Sequence, residues 1–297
     1  MTESRLSGCW TALITPFTQS GDVDEQALRA LVDWQIAEGI HGLVPIGSTG
    51  EAVTLSAAER DRVVRIVVEQ ANKRVPIMAG AGSNDTKQAI ENSKAMRAAG
   101  ATHLLHVSPM YNKPPQRGIV AHFRAVAESA GLPVVVYNVP GRTASNIEAT
   151  TTLALAAIPG IVAVKEASGN LTQIDEIIRG RPADFAVLSG DDSFTLPVMV
   201  AGGDGVVSVT SNATPRAMAT LVEQCAAGNF IGARATHQKL AAWMHAAFIE
   251  SNPIPAKAAL ALMGRIQNVL RLPLVPLREE LTPTVRAALV AAGALSA

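Results

Sequence analysis

Pro159-Gly160-Ile161-Val162-Ala163-Val164-Lys165-Glu166-Ala167-Ser168-Gly169 is the stretch that decides the fold. A turn dipeptide opens it, and a run of β-branched and small apolar residues follows. Such a run, without polar alternation, marks a strand buried on both faces of a parallel sheet. Lys165 ends the run. A lysine there is unfavourable to bury unless it has a partner or a job. In parallel α/β proteins this end of the strand carries the chemistry.

Outward from this strand the same pattern repeats. Short apolar runs occur at Cys9–Ile14, Gly42–Ile46, Pro76–Gly80, His103–Ser108, Pro133–Asn138, Ala186–Gly190 and Gly205–Val209. Amphipathic stretches separate them, including Asp24–Ala37, Ser56–Asn72, Thr86–Ala99 and Gln116–Ala130. Ser56 followed by Glu59 is a capping box, and Gly39, Gly100 and Gly131 stand where helices stop. Strands alternating with helices in eight even units predict an α/β fold, a (β/α)8 TIM barrel, over an open doubly wound sheet. After Ala226 the strand signal ends. Gly232–Ser251, Pro255–Leu270 and Pro283–Ala292 read as helices. The division is residues 1–226 as barrel and 227–297 as a helical appendix packed with it.

Composition narrows the function. Lys plus Arg and Asp plus Glu both number 25, so the formal net charge is zero. No basic field is available for nucleic acid or an anionic membrane. No apolar stretch reaches the ~20 residues of a membrane span, and Met1–Leu6 lacks the apolar core of a secretory leader. Cys9 and Cys225 read as core filler in a reducing, cytoplasmic setting. The six histidines lack metal-ligand spacing, so no metal is expected. Gly80-Ala81-Gly82-Ser83 reads as a tight turn, because Asp85 occupies the third glycine position of a dinucleotide loop. Asp191-Asp192 reads as a helix cap.

A barrel gathers its strand ends at one mouth. There stand Ser48 and Thr49 in Gly47-Ser48-Thr49-Gly50-Glu51, Tyr111, Tyr137, Arg142 and Lys165. A lysine amine condenses with a ketone, and the resulting imine acidifies the adjacent carbon. An ordinary lysine is neutral in only about one molecule in 2,500 at pH 7, so an apolar strand-end pocket must lower its pKa. Strand alternation sends Glu166 to the opposite face. Tyr137 suits proton transfer, Ser48-Thr49 suits a carboxylate, and Arg142 suits a second one. Singly, each has a plainer reading: a snorkelling lysine, a core tyrosine, a βα turn, a surface ion pair. Their shared place at strand ends favours catalysis.

At these residues the chain resembles the pyruvate-dependent class I aldolases and lyases. The likeness runs from Thr11–Phe17 to Asn252–Pro255 and rests on Gly47–Glu51, Tyr137–Pro140 and Val164-Lys165-Glu166. Within that family it is most similar to the dihydrodipicolinate synthase branch, through Arg142 and the run Ser251–Lys257. The resemblance implies a pyruvyl imine on Lys165 and proton transfer by Tyr137. It implies a relay through Ser48 and Tyr111, the latter reaching a neighbouring subunit's site. Thr49 and the backbone at Val207 would hold pyruvate, and Arg142 would hold L-aspartate-4-semialdehyde. It also implies a homotetramer built as a dimer of dimers and no cofactor. Two other readings stay open: N-acetylneuraminate lyase or another sugar-acid aldolase, and a keto-acid-binding barrel without catalysis. Ser48 departs from the usual threonine of the synthase branch. Ala57 and Arg60 replace histidines of lysine-inhibited members, which also carry a glutamate near Gln88 and a tyrosine at Met110, while Asn84 is retained. Weak or absent inhibition by lysine is therefore expected.

Overall fold

Each β-branched run becomes one stave of a closed barrel. A computed structural model describes residues 5–296. The strands are β1 (Gly8–Ala12), β2 (Gly42–Val44), β3 (Met78–Gly80), β4 (His103–Val107), β5 (Val134–Asn138), β6 (Ile161–Glu166), β7 (Ala186–Ser189) and β8 (Gly205–Ser208). All ladders are parallel, in the order β2-β1-β8-β7-β6-β5-β4-β3. A parallel bridge between Leu43 and Ile77, with Gly80 N–H donating to the Pro45 carbonyl at 3.1 Å, brings β2 to β3 and closes the ring. A Cβ at Gly80 would sit 2.2 Å from the Ile46 carbonyl oxygen, so only glycine permits that approach. This close approach is what the Gly80-Ala81-Gly82 run serves.

The helices are α1 (Glu25–Ala37), α2 (Ala57–Ala71), α3 (Thr86–Ala98), α4 (Gln116–Ala130), α5 (Pro140–Thr143), α6 (Ala149–Ala156), α7 (Leu171–Gly180), α8 (Thr195–Val200), α9 (Pro215–Ala226), α10 (Phe230–Ala246), α11 (Ile254–Leu262) and α12 (Thr282–Ala292). The capping box forms at α2: Glu59 N–H donates to Ser56 Oγ, and the Glu59 carboxylate accepts from Ser56 N–H. Period-2 alternation sorts each strand into two layers. Val135, Tyr137, Ala163, Leu188 and Val207 point into the barrel. Val134, Val136, Val164, Val187 and Val206 pack outward against the helices. That alternation turns Lys165 inward with Ala163 and sends Glu166 outward.

The C-terminal helices share the outer core through Trp243, Leu240, Val285 and Leu289. Trp243 Nε1 also donates to the Thr210 carbonyl at 3.1 Å. The helix expected over Pro255–Leu270 is shorter than the sequence suggests. It ends at Leu262 because Gly264 takes a left-handed φ of 69° and Arg265 N–H turns back to the Leu260 carbonyl. The leader reading at Met1–Leu6 and the helical appendix drawn over 227–297 fall partly on residues 1–4 and 297, outside the described residues. Among the described residues no helix is long and apolar enough to cross a membrane, and no cluster of side chains could hold a metal.

A buried histidine gives the fold a pH dependence. His106 is fully buried, with Nε2 3.1 Å from Ser93 Oγ and Nδ1 unpartnered. Burial, and secondarily the nearby His122, pushes its pKa down to about 3. Between the ordinary value of 6.5 and 3, the unfolded chain binds a proton that the folded chain refuses. Stability contributed by neutral His106 is therefore present above pH 6.5 and is lost as pH falls. At pH 4.5 the loss is roughly 2–3 kcal/mol. Urea midpoints measured at pH 7 and 4.5 should show it, and His106→Gln should flatten that difference.

Candidate active site

Register makes the central pair. Tyr137 on β5 lies opposite Lys165 on β6 in the ladder, and both point into the barrel. Lys165 Nζ sits 4.0 Å from the centroid of the Tyr137 ring. Lys165 is 4% exposed. Burial pushes its pKa down to about 7, with Asp192 opposing and the positive Arg142 reinforcing the drop. Burial pushes the Tyr137 phenol the other way, up to about 12, with Arg142 and a hydrogen bond with Ser48 holding it back. A substantially neutral amine thus faces a phenol that keeps its proton. Glu166 stays away from both. It points outward and accepts from Asn138 Nδ2 (2.9 Å), Ser168 N–H (2.6 Å) and Gln173 Nε2 (3.1 Å).

The turn after β2 supplies hydroxyls. Gly50 N–H donates to the Gly47 carbonyl at 3.1 Å and Glu51 N–H to Ser48 at 3.2 Å. Thr15 Oγ1 donates to the Gly50 carbonyl at 2.7 Å, fixing the turn to the loop that follows β1. Ser48 and Thr49 line the same cavity as Tyr137 and Lys165, a space of ≈ 230 Å³. Pro140 at the start of α5 brings Arg142 onto its wall. Leu105, Val107 and Val139 supply apolar wall, which explains the desolvated amine. Arg60 and Met110 lie on the same wall.

Five of the expected residues therefore share one cavity: Lys165, Tyr137, Ser48, Thr49 and Arg142. Two do not line it. Tyr111 is 88% exposed, with a left-handed φ of 73° unusual for a large side chain. Val207 sits in the apolar interior of the barrel, opposite Trp10 of β1. The cysteines are free and buried.

The Asp191-Asp192 reading needs a correction. Asp191 is the cap, accepting from Ser193 N–H at 2.9 Å. Asp192 is fully buried and holds the end of β8 instead. Its carboxylate accepts from Ser208 Oγ (2.5 Å), Val209 N–H (3.0 Å), Thr210 N–H (3.1 Å) and Thr210 Oγ1 (2.8 Å). Sequence reasoning also missed two other features. Asn252 bonds to Thr49 and Arg142 at once. Glu51 and Lys257 form an ion pair with both side chains fully buried. A signal for Lys257 was present, since it is a lone charge in the apolar run Ile254–Leu260, as Lys165 is in its strand.

A neutral amine, a protonated phenol, two hydroxyls and a guanidinium around one small cavity suit a keto acid that condenses with the amine. Comparisons with known proteins agree. Residues 5–292 match the profile of the dihydrodipicolinate synthetase family. The chain is 52% identical over 277 residues to 4-hydroxy-tetrahydrodipicolinate synthase of Koribacter versatilis, covering 93% of this chain and 92% of that one. It superimposes on chloride-inhibited dihydrodipicolinate synthase from Acinetobacter baumannii complexed with pyruvate. The TM-score there is 0.96 at 42% identity, covering 97% and 99% of the two chains. The enzyme from Cyanidioschyzon merolae with lysine bound gives a TM-score of 0.95 at 41% identity, covering 99% and 100%. With a barrel, a strand-end lysine and a match along nearly its whole length, the chain belongs to the dihydrodipicolinate synthetase family.

Proposed function

We propose that this chain condenses pyruvate with L-aspartate-4-semialdehyde, giving 4-hydroxy-tetrahydrodipicolinate for lysine and diaminopimelate biosynthesis. The observation that carries this reading is the buried Lys165 amine, at a pKa of about 7, stacked on Tyr137 in a cavity that also holds Arg142. The neutral amine attacks the pyruvate ketone, and loss of water leaves the imine. Tyr137 gives a proton to the departing oxygen and recovers it through Ser48, with Tyr111 of a neighbouring subunit completing the relay. Loss of a C3 proton gives the enamine, which attacks the semialdehyde carbonyl carbon. The semialdehyde's own amine then displaces Lys165, closing the ring and freeing the enzyme amine. Thr49 holds the pyruvate carboxylate, the Val207 backbone also contacts pyruvate, and Arg142 holds the semialdehyde carboxylate.

The exposure of Tyr111 supports a site completed across a subunit boundary, and we read the assembly as a dimer of dimers. Two free buried thiols support a cytoplasmic setting. Ala57, Arg60, Gln88 and Met110 support weak or absent inhibition by lysine. Ser48 favours a second reading, cleavage of a sugar acid to pyruvate, because the lyase branch carries the same turn; Arg142 favours the semialdehyde. Initial rates with pyruvate plus aspartate semialdehyde, N-acetylmannosamine or small sugar aldehydes test the choice. A preference for N-acetylmannosamine would overturn the proposal. Borohydride treatment with pyruvate that leaves no adduct on Lys165 would favour a non-catalytic barrel.

A further inference from the structure

Asn252 stands between the two groups assigned to carboxylates. It is 5% exposed. Its Nδ2 donates to Thr49 Oγ1 at 2.8 Å, and its main-chain oxygen accepts from Arg142 Nη2 at 3.2 Å. A threonine hydroxyl has one proton and two lone pairs. Asn252 occupies a lone pair, and among the described residues Thr49 Oγ1 donates to nothing. Its proton is left for an acceptor in the cavity that Thr49 lines. The other contact ties one N–H of Arg142 and leaves the rest of its fork for an anion. Asn252 cannot easily drift from this position. It lies just before α11, where Lys257 is paired with Glu51 of the Thr49 turn.

We infer that Asn252 is a positioning residue that couples the two carboxylate subsites: its amide commits Thr49 to donate, and its carbonyl aims Arg142. The inference rests on the roles of Thr49 and Arg142 proposed above. It makes Thr49 orientation, rather than Lys165 reactivity, the property that Asn252 controls.

The test uses the full chain and its borohydride-trapped pyruvate adduct, quantified by intact mass against pyruvate concentration. Asn252→Ala removes the amide on Thr49 but keeps the main-chain oxygen on Arg142, so it should raise the half-saturating pyruvate about tenfold, with KM for the second substrate and kcat changed far less. Asn252→Asp, nearly the same shape, should be worse than alanine for pyruvate. Its carboxylate accepts the Thr49 proton and repels the substrate's charge. In a Thr49→Val background, Asn252→Ala should no longer affect pyruvate. Three results would overturn the inference: an unchanged half-saturation in both variants, an aspartate variant no worse than alanine, or an equal effect with and without the Thr49 hydroxyl. A failure of the wild-type chain to trap pyruvate at all would strike the proposed function instead, so the two failures are distinguishable.

Discussion

Lys165→Met should abolish the trapped pyruvate adduct and lower turnover on the order of 10⁴-fold or more, while raising the stability of the fold. The catalytic half follows from chemistry. Methionine has no nucleophilic nitrogen, and removing a covalent nucleophile disables every later step. The stability half follows from the pKa. An amine lowered from 10.5 to about 7 is one that the folded state disfavours charging. Below pH 7 both states hold the proton and the penalty is full; it fades as pH rises from 7 to 10.5. Its size is up to about 5 kcal/mol, from 1.36 kcal/mol per pKa unit. Methionine fills a similar volume without the charge. Thermal unfolding at pH 7 should therefore show a higher midpoint for the variant. An unchanged or lower midpoint would mean that the amine is less desolvated than its burial implies. In the wild type, kcat/KM for pyruvate should rise with pH through about 7, as the amine loses its proton.

That a reactive group strains the fold also explains how much was legible beforehand. Lys165 announced itself because a charge at the end of an apolar strand conflicts with its surroundings, and such conflicts mark functional sites. The barrel was legible because β-branched runs and helical patterns alternated evenly from Cys9 to Ala226. Tyr137, Ser48, Thr49 and Arg142 could be gathered at one mouth because a parallel barrel brings strand ends together, while their specific roles came from the family resemblance; the same reasoning gathered Tyr111, which does not line the cavity. What strand-end reasoning does not resolve is contact across the chain. Asn252 lies 203 residues from Thr49, and no local pattern pairs them. Asp192 was read as a cap beside Asp191, since the two carboxylates look alike until β8 is seen to wrap around one of them. The overlong helix at Pro255–Leu270 has a local cause, because the apolar pattern continues past Gly264 while the backbone does not.

Lys257→Met should cost the fold about 3–5 kcal/mol, the reverse of the effect at Lys165. Both lysines are buried and both have lowered pKa values, Lys257 to about 8, chiefly through burial and against the pull of Glu51. The difference lies in their partners. Lys165 is stacked on a neutral ring. Lys257 is paired with Glu51, donates to the Val269 carbonyl at 2.9 Å and lies 4.0 Å from the centroid of Phe17. Its removal leaves the Glu51 carboxylate buried with the Arg271 N–H at 3.1 Å as its remaining hydrogen-bond donor. Glu51→Gln in the same chain removes that stranded charge, so the double variant should be more stable than Lys257→Met alone. Equal or greater loss in the double variant would show that the ammonium matters for packing rather than as a counter-charge. The damage should also reach the site. Arg271 donates to the Gly21 and Thr54 carbonyls, each at 2.9 Å, so this cluster ties the C-terminal segment to the turn that presents Ser48 and Thr49. Lys257→Met, assayed well below its unfolding midpoint, should therefore raise the half-saturating pyruvate while leaving the Lys165 adduct detectable.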